Sequence, residues 1–395
     1  MSETTGLIRP VCIVILTTDY KAFCRFLQFL FVFLLLTNRI FVFYNLYKVF
    51  VTNSMNLKGE TKMFCKKCYL ELDETNMYPK DKRFCLSCGK EHALFITERR
   101  QTLESLRSMN LESKIVQTKF LIRQAVAEFG LEKVYISYSG GKDSTVLSHI
   151  AKSMYPSILH LFANTTNEYP ETIEHIRWER EHNSTNIITV LPIDSKGETW
   201  TFKKVVECYG YPMFSKRVSN AIRTYQHALT ARTKANSLSY IERNFKKYEA
   251  YKDLPISDKC CEKLKKEPLK RKAKELGLEC ALLGILASES YQREKDWLEY
   301  GCNVFHERKD NQSRPLSFWT DEDILEYIAR YNVKIPKLYD LGYTRNGCMY
   351  CGFGVHLEPK GQNRYQRLKE THPVQYSYFI KNFGDLMIDF NVDVA

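Results

Sequence analysis

Six consecutive residues, 139–144, follow a predicted buried strand at 133–138 and could hold a phosphate group. They read Ser-Gly-Gly-Lys-Asp-Ser and lead into a predicted helix at 144–154. Adjacent glycines let backbone amides approach phosphate oxygens closely, and the start of a helix adds a partial positive charge. Lys142 would supply a full charge, and Ser144 could cap the helix or donate to a phosphate. The loop lacks the spacing of a Walker A motif, so it indicates another phosphate-binding turn, with an ordinary strand-to-helix turn as the alternative.

Eight of the 13 cysteines fall into four close pairs. In a chain of this length such pairing indicates metal ligation in a reducing compartment rather than disulfide formation, and it predicts a cytoplasmic protein. The pairs are Cys65/Cys68, Cys85/Cys88, Cys260/Cys261 and Cys348/Cys351.

The first two pairs predict a zinc ribbon over 63–95. Each pair has two intervening residues, and sixteen residues separate Cys68 from Cys85. Two knuckles of this kind can supply four thiolates, Cys65, Cys68, Cys85 and Cys88, to one tetrahedral Zn²⁺. We expect a structural cap rather than a surface that contacts nucleic acid.

Length and net charge limit the folds and partners that the chain can have. A chain of 395 residues can form one large α/β domain with small appendages. The formal charge of +12, from 58 Lys and Arg against 46 Asp and Glu, favours polyanionic partners such as nucleotides or nucleic acid. It also suits a protein that is merely soluble, so charge alone does not choose a function.

Residues 1–62 form an apolar extension that does not fit a membrane span. The run is interrupted by Thr37-Asn38-Arg39, whereas a spanning helix needs about 20 continuous apolar residues. We interpret the extension as an artefact of start-site choice, with the functional protein beginning at Met55 or Met63, and we expect no membrane association. A membrane anchor is the alternative.

Strand and helix patterns alternate along most of the remaining chain. A helical pattern covers 96–129, and helices are also predicted from Pro170 and at 288–299. This alternation predicts a Rossmann-like α/β domain, a mostly parallel sheet with helices on both faces that binds ligands beyond the carboxyl ends of its strands. The predicted strands lie at 133–138, 158–163, 187–191, 280–285 and 304–306.

The stretch SYSGGKDSTVL resembles the signature of the PP-loop adenine nucleotide alpha-hydrolases, and more narrowly that of the phosphoadenosine phosphosulfate (PAPS) reductase family. Residues 164–172 resemble the family segment after the second strand, and Gly284-x4-Glu289-Ser290-x2-Arg293 resembles a further family element. Residues 314–324 and 338–343 are similar to its C-terminal part. The likeness runs from about 114 to 354 and implies a nucleotide-binding domain at 96–345, followed by a cysteine-containing segment at 346–395.

The resemblance implies a site for ATP or a related adenine nucleotide, with Mg²⁺. Lys142, Asp143 and Arg293 are the implied catalytic residues. A guanidinium can bind phosphate or sulfate through two hydrogen bonds, Asp143 could position the metal, and Glu289 would orient Arg293. The implied nucleotide-binding residues are Ser137, Ser139, Gly140, Gly141, Lys142, Asp143, Ser144, Asn164, Glu168, Gly284, Glu289 and Arg293.

The resemblance also brings the last two cysteine pairs together near the nucleotide. Their arrangement is similar to that of adenylylsulfate reductases and of the DNA-phosphorothioation subunit, which bind a four-iron four-sulfur cluster. Cys260 and Cys261 point about 100° apart on a helix, which is awkward for one small ion but suits a larger cluster. We therefore expect a 4Fe-4S cluster on Cys260, Cys261, Cys348 and Cys351, with zinc or simple burial as alternatives. Lys259, beside the first pair, is a candidate anion-binding residue.

Two departures from the reductases shape the functional hypothesis. Those enzymes use a cysteine nucleophile in a C-terminal tail, whereas no cysteine follows Cys351 here, and the intact loop resembles that of ATP-using members. We therefore expect ATP cleavage between the α and β phosphates, coupled to sulfur transfer or reduction, with DNA, tRNA or a sulfur-carrier protein as candidate partners. One alternative is a true adenylylsulfate or PAPS reductase. Another is a zinc-ribbon nucleic-acid-binding protein with a regulatory nucleotide site.

Overall fold

The computed structural model describes residues 63–306, 310–359 and 361–394. The predicted extension at 1–62 lies outside these ranges. Within them, no helix combines the length and the apolar character that crossing a membrane requires. The chain divides after Phe95 into two compact units.

The first unit is built around the four predicted zinc ligands. Strands β1 (Met63–Phe64) and β2 (Glu71–Leu72) form an antiparallel hairpin that holds the first cysteine pair in its turn. The second pair lies where helix α1 (Leu86–Arg107) begins. The helix therefore starts inside the segment predicted as ribbon, ten residues before the predicted helical run.

That predicted run of 96–129 is two helices rather than one. Helix α2 (Leu111–Phe129) begins after Asn110, whose side chain accepts a hydrogen bond from the Ser113 amide at 2.9 Å. An asparagine in this position satisfies one of the free amides at a helix start and so sets the boundary. Gly130 ends α2 with a φ of 84°.

The second unit contains the predicted parallel sheet, which confirms the fold class. The strands of this unit are β3 (Val134–Tyr138), β4 (Leu159–Ala163), β5 (Ile187–Val190), β6 (Met213–Phe214), β7 (Cys280–Leu283), β8 (Asn303–Val304), β9 (Asn311–Ser313) and β10 (Gly352–Phe353). Six of them form the sheet in the order β5-β4-β3-β7-β9-β8, and all neighbours are parallel except β8, which runs antiparallel to β9. A separate parallel pair joins β6 to β10.

Eleven further helices complete the described part of the second unit. These helices are α3 (Lys142–Lys152), α4 (Pro170–His182), α5 (Phe202–Tyr209), α6 (Lys216–Gln226), α7 (Ala231–Phe245), α8 (Lys259–Cys261), α9 (Glu267–Glu275), α10 (Tyr291–Tyr300), α11 (Asp321–Arg330), α12 (Arg364–Thr371) and α13 (Pro373–Asp389). A π-helical turn at Glu262–Lys266 joins α8 to α9.

Two apolar cores position the functional segments. The first lies between the sheet and its helices, where buried residues of β3 such as Ile136 pack with Val146 and Ile150 of α3. The second gathers aromatic side chains around the β6/β10 pair and includes Cys260, Met349 and Tyr350. The sheet core therefore fixes the phosphate loop, and the aromatic core fixes the second set of cysteines.

Candidate functional site

The phosphate loop lies at the carboxyl end of β3, between that strand and α3. Gly140 has a φ of 72°, in the left-handed region that favours glycine. A Cβ added there would lie 3.1 Å from carbon atoms of both Thr172 and Ile176. The sequence thus needs glycine at this position both for the backbone angle and for the close approach of α4.

Two serine hydroxyls close the turn. The Ser144 hydroxyl donates to the Gly141 carbonyl at 3.0 Å and accepts a long hydrogen bond from the Ser139 amide at 3.3 Å. The Ser139 hydroxyl accepts from the Gly141 amide at 3.3 Å. The Ser144 hydroxyl thus holds the loop in shape. Gly141 is the N-cap of α3 and no side chain caps that helix, whereas phosphate donation by Ser144 stays a prediction.

The Lys142 ammonium lies between two carboxylates. Its Nζ is 2.8 Å from Asp143 Oδ1 and 2.6 Å from Asp321 Oδ1. Burial disfavours the charged amine, but the hydrogen bonds to these carboxylates outweigh it and raise the pKa of Lys142. The lysine therefore stays positively charged at the mouth of the loop. Asp321 belongs to the family-like segment at 314–324, which is the signal that could have identified it.

The segment that precedes the last cysteine pair also holds the loop. The Lys142 amide donates to the Tyr339 hydroxyl at 2.9 Å. The Asn346 side chain donates to the Ser139 carbonyl at 3.2 Å and accepts from the Thr172 hydroxyl at 2.9 Å. Sequence reasoning missed Asn346. Its position two residues before Cys348 was the available signal.

Three predicted site residues follow strand β7, the neighbour of β3 in the sheet. They are Gly284, Glu289 and Arg293. A Cβ on Gly284 would lie 2.9 Å from the Asp143 carbonyl oxygen and the Ser144 amide nitrogen, so only glycine fits there. The Glu289 carboxylate accepts hydrogen bonds from Arg293 and, at 3.2 Å, from Arg345. Burial, followed by the charge of Arg345, lowers the pKa of Arg293. The structure thus places Glu289 where it orients Arg293, and it adds Arg345 to the site.

The other proposed nucleotide-binding residues have local structural partners. The Asn164 side chain accepts from the Thr166 amide at 3.0 Å. The Glu168 carboxylate accepts from the Thr165 amide at 2.9 Å and from its hydroxyl at 2.6 Å. Ser137 lies within β3, between Leu161 and Leu283 in register. These residues shape the carboxyl end of the sheet, and Glu168 is engaged in holding its own turn.

The four distant cysteines converge. Cys260 and Cys261 lie on α8, and Cys348 and Cys351 lie in the loop before β10. Burial, and after it the neighbouring charges of Cys348 and Cys261, raise the pKa of Cys351 to about 12. Burial likewise raises the pKa of Cys260, with contributions from Cys348, Cys261 and Cys351. Four mutually close thiols, one buried and three half-buried, form a set of soft ligands for a metal centre.

Backbone hydrogen bonds fix this second cysteine set. The Met349 amide donates to the Asn167 carbonyl at 2.8 Å, and the Tyr350 amide donates to the Asn167 side chain at 3.3 Å. The π-helical turn follows Cys261 directly, and such turns occur often at functional sites. Lys265 on this turn lies beside Cys348, whose charge raises the lysine pKa. Sequence reasoning selected Lys259 instead, but that amine pairs with Glu262 at 2.6 Å.

The two cysteine sets differ in the distances between their sulfur atoms. The sulfur atoms of Cys65, Cys68, Cys85 and Cys88 all lie within 4.8 Å of one another. A tetrahedral zinc ion with bonds of about 2.3 Å holds its sulfur ligands roughly 3.8 Å apart. In the described part of the chain no other set of three such ligand groups is this compact. The first set therefore fits one zinc ion, and the second set is more open.

Comparison with known proteins gives one family match. Residues 133–209 and 199–352 match the model of the phosphoadenosine phosphosulfate reductase domain. Together these two ranges cover more than half of the chain. The matched region contains the phosphate loop, Arg293 and all four cysteines of the second set.

Two curated relatives and one solved structure are also similar. An uncharacterized protein of Methanocaldococcus jannaschii is 23% identical over 63% of this chain, and the alignment spans 47% of that protein, about half its length. Sulfate adenylyltransferase subunit 2 of Alkalilimnicola ehrlichii is 25% identical over 60% of this chain and 68% of its own. The crystal structure of phosphoadenylyl-sulfate reductase from Candida auris is 16% identical, with a TM-score of 0.38, and covers 63% of this chain and 93% of that one.

Proposed function

Since this chain belongs to the phosphoadenosine phosphosulfate reductase domain family, we propose that it is an enzyme that binds ATP with Mg²⁺ at the phosphate loop and cleaves the bond between the α and β phosphates. The adenylylated product then enters a sulfur-transfer or reduction step near an iron-sulfur cluster. The observation that carries this proposal is the loop itself, with Gly140, the charged Lys142 and the start of α3 at the carboxyl end of β3.

The charges at the loop mouth suit a nucleotide triphosphate. Lys142 and Arg293 would bind phosphate oxygens, and backbone amides at the start of α3 add a partial positive charge. Asp143 and Asp321 offer carboxylate oxygens, the ligands that Mg²⁺ prefers in proteins. Preorganised donors of this kind stabilise the charge that develops on departing pyrophosphate.

The chemical step is a displacement at the α phosphorus. An oxygen atom of the acceptor attacks that phosphorus, the bond to the bridging oxygen breaks, and pyrophosphate leaves with the electron pair. The acceptor then carries AMP, which a sulfur nucleophile can displace. Lys142 and Arg293 hold the phosphates in position during the attack, while Glu289 holds Arg293 in position.

The donor set of Cys260, Cys261, Cys348 and Cys351 fits a 4Fe-4S cluster. The four thiols converge, and their spacing is wider than one zinc ion requires. When bound, such a cluster would supply redox or sulfur-binding chemistry next to the loop. Asn346, which touches the phosphate loop and lies two residues before Cys348, connects the two parts of the site.

Cys65, Cys68, Cys85 and Cys88 would hold a structural Zn²⁺. Three of these cysteines are buried, and hydrogen bonds between backbone groups shape the turn that carries the first pair, with the Cys65 amide donating to the Leu70 carbonyl at 2.8 Å. A closed four-thiolate site of this kind contributes to folding and leaves no open position for catalysis.

The proposal is tested by preparing the protein without oxygen and measuring iron, sulfide and zinc. ATP-dependent pyrophosphate release is then assayed with DNA, tRNA and sulfate as candidate acceptors. We expect about four irons, one zinc and acceptor-dependent release of pyrophosphate. Release of sulfite from adenylylsulfate or PAPS, without pyrophosphate from ATP, would instead identify a true sulfonucleotide reductase.

A further inference from the structure

One pair of helices outside the phosphate loop carries a local excess of positive charge. Residues 216–252 contain nine Lys and Arg but two Glu, an excess of seven within a whole-chain excess of twelve. This segment covers α6, α7 and the 3₁₀ turn Lys246–Tyr251 that follows them. Such a local excess favours a polyanionic partner.

Helix α7 stands out from the body of the unit. Among its fifteen residues only Ile241 is buried, and every residue from Ala231 to Asn236 is exposed. The helix is anchored by its second half, where Phe245 packs edge-to-face with Tyr240 and lies under the guanidinium of Arg217 at 5.6 Å. Its first half therefore presents Arg232, Lys234 and Asn236 at exposed positions of the helix.

The connection between the two helices is short. Four residues, 227–230, join α6 to α7, and Leu229 at the tip is 99% exposed. Turns of similar length precede the helix that reads DNA in helix-turn-helix modules. An α-helix fits the major groove of B-form DNA, whereas the major groove of duplex RNA is too narrow to admit it.

A polar cleft lies between the two helices. It has a volume of about 350 Å³ and is lined by amide and hydroxyl groups, including those of Asn220, Thr224, Thr233 and Asn236. Side chains of these types donate to phosphate and sugar oxygens and fix the register of a protein on DNA. The polar cleft therefore lies between the two helices that carry the positive charges.

Ion pairing ties this helix pair to the second cysteine set. Arg223 of α6 donates to Asp258 at 2.8 Å, and Asn220 donates to the same carboxylate at 3.2 Å. Asp258 directly precedes α8, which carries Cys260 and Cys261. A nucleic acid held on α6 and α7 would thus lie on helices that are paired to the start of α8, the element that carries two proposed cluster ligands.

From these observations we propose that α6 and α7 form a docking surface for duplex DNA, with the exposed first half of α7 in the major groove. The inference rests on the proposed function in one respect, since it names duplex DNA as the acceptor class. The binding itself requires no nucleotide, so it can be measured independently of ATP cleavage.

The test uses the full chain and a fluorescein-labelled 20-base-pair DNA duplex in fluorescence anisotropy across a salt series. Arg232→Gln, Lys234→Gln and Arg243→Gln are combined in one variant. Its matched control combines Arg123→Gln, Lys196→Gln and Lys381→Gln, which remove the same charge from exposed positions elsewhere in the second unit. Thermal unfolding of both variants shows whether they are folded.

We expect the α7 variant to bind the duplex at least ~10-fold more weakly than the control, with the slope of log K against log salt reduced by about 2 to 3. Equal binding by the two variants would overturn the inference, as would tighter binding of a matched RNA duplex or single strand. Pyrophosphate release with tRNA and with sulfate as acceptors is measured in parallel. If either acceptor supports release while duplex binding is unaffected by the α7 changes, the docking surface fails and the proposed function stands.

Discussion

The side-chain amide of Asn346 donates to the Ser139 carbonyl across 3.2 Å, although 207 positions separate the two residues. Its carbonyl oxygen accepts from Thr172 at 2.9 Å. One asparagine thus joins the phosphate loop, the start of α4 and the segment that leads to Cys348. This contact is the physical basis for treating the nucleotide site and the cysteine set as one centre.

We predict that Asn346→Ala lowers kcat/KM for ATP-dependent pyrophosphate release by roughly tenfold, the effect expected from losing one or two hydrogen bonds that hold the loop. Bound iron should be retained, since Asn346 carries no thiolate. Asn382→Ala is the matched control, because that amide donates to the Tyr378 carbonyl at 2.8 Å within α13. Equal activity of the two variants would mean that the loop does not depend on Asn346.

Replacing Gly140 tests whether turnover depends on the shape of the phosphate loop, apart from the backbone strain that the replacement itself causes. Gly140→Ala places a side chain at φ 72°, against atoms of Thr172 and Ile176 at 3.1 Å. Gly197→Ala meets the same kind of backbone cost, about 1–2 kcal/mol, at φ 84° with nothing within 4 Å. We expect both variants to lose stability in urea unfolding but only Gly140→Ala to lose at least ~10-fold in turnover. Similar turnover in the two would remove the loop from the mechanism.

Iron content tests the second cysteine set. We predict that Cys260→Ser, Cys261→Ser, Cys348→Ser and Cys351→Ser each reduce bound iron and sulfide to less than about half of the wild-type content, because each removes one of four thiolate ligands. Cys208→Ser, an exposed cysteine on α5, is the control and should keep full iron. One equivalent of zinc in place of iron in the wild-type protein would identify the centre as a second zinc site.

Acid should destabilise the second unit through His160. This residue is fully buried, its Nε2 lies 2.8 Å from the Ser148 hydroxyl, and burial lowers its pKa to about 4. The unfolded chain binds a proton near pH 6.5, whereas the folded chain does not until about pH 4. Stability is therefore fully present above pH 6.5 and is lost as the pH falls from there toward about 4.

The measurement is the free energy of unfolding at pH 8 and pH 5. We expect His160 to account for about 2 kcal/mol of the decrease between them, so that His160→Gln shows a smaller decrease than wild type. His182→Gln, at an exposed position on α4, serves as the control. An unchanged pH dependence in His160→Gln would show that the histidine is protonated equally in both states.

Local sequence patterns predicted much of the fold, and they also indicated the phosphate loop as the centre of the candidate site. The loop, β3 and α3 are consecutive in sequence, so their residue types and spacing indicated both structure and chemistry. Strand β9 was missed because its three residues, Asn311–Ser313, are polar and too short to show a periodic pattern. The β6/β10 pair has two residues on each strand and gave no signal of its own.

The site residues that sequence reasoning missed belong to the site only through tertiary contacts. Asp321, Tyr339 and Asn346 lie far from the loop in sequence and reach it through side-chain hydrogen bonds. Lys265 gained its place beside Cys348 through the π-helical turn, which the sequence did not indicate. Residue types in a single sequence cannot show which distant side chains the fold brings together.

The most direct test is ATP-dependent pyrophosphate release by wild type and by Lys142→Ala, with Lys381→Ala as an exposed lysine control on α13. The account predicts that wild type and Lys381→Ala release pyrophosphate at equal rates and that Lys142→Ala falls by at least ~100-fold, since it removes the charge that holds the phosphates. Release by Lys142→Ala at the wild-type rate would contradict it.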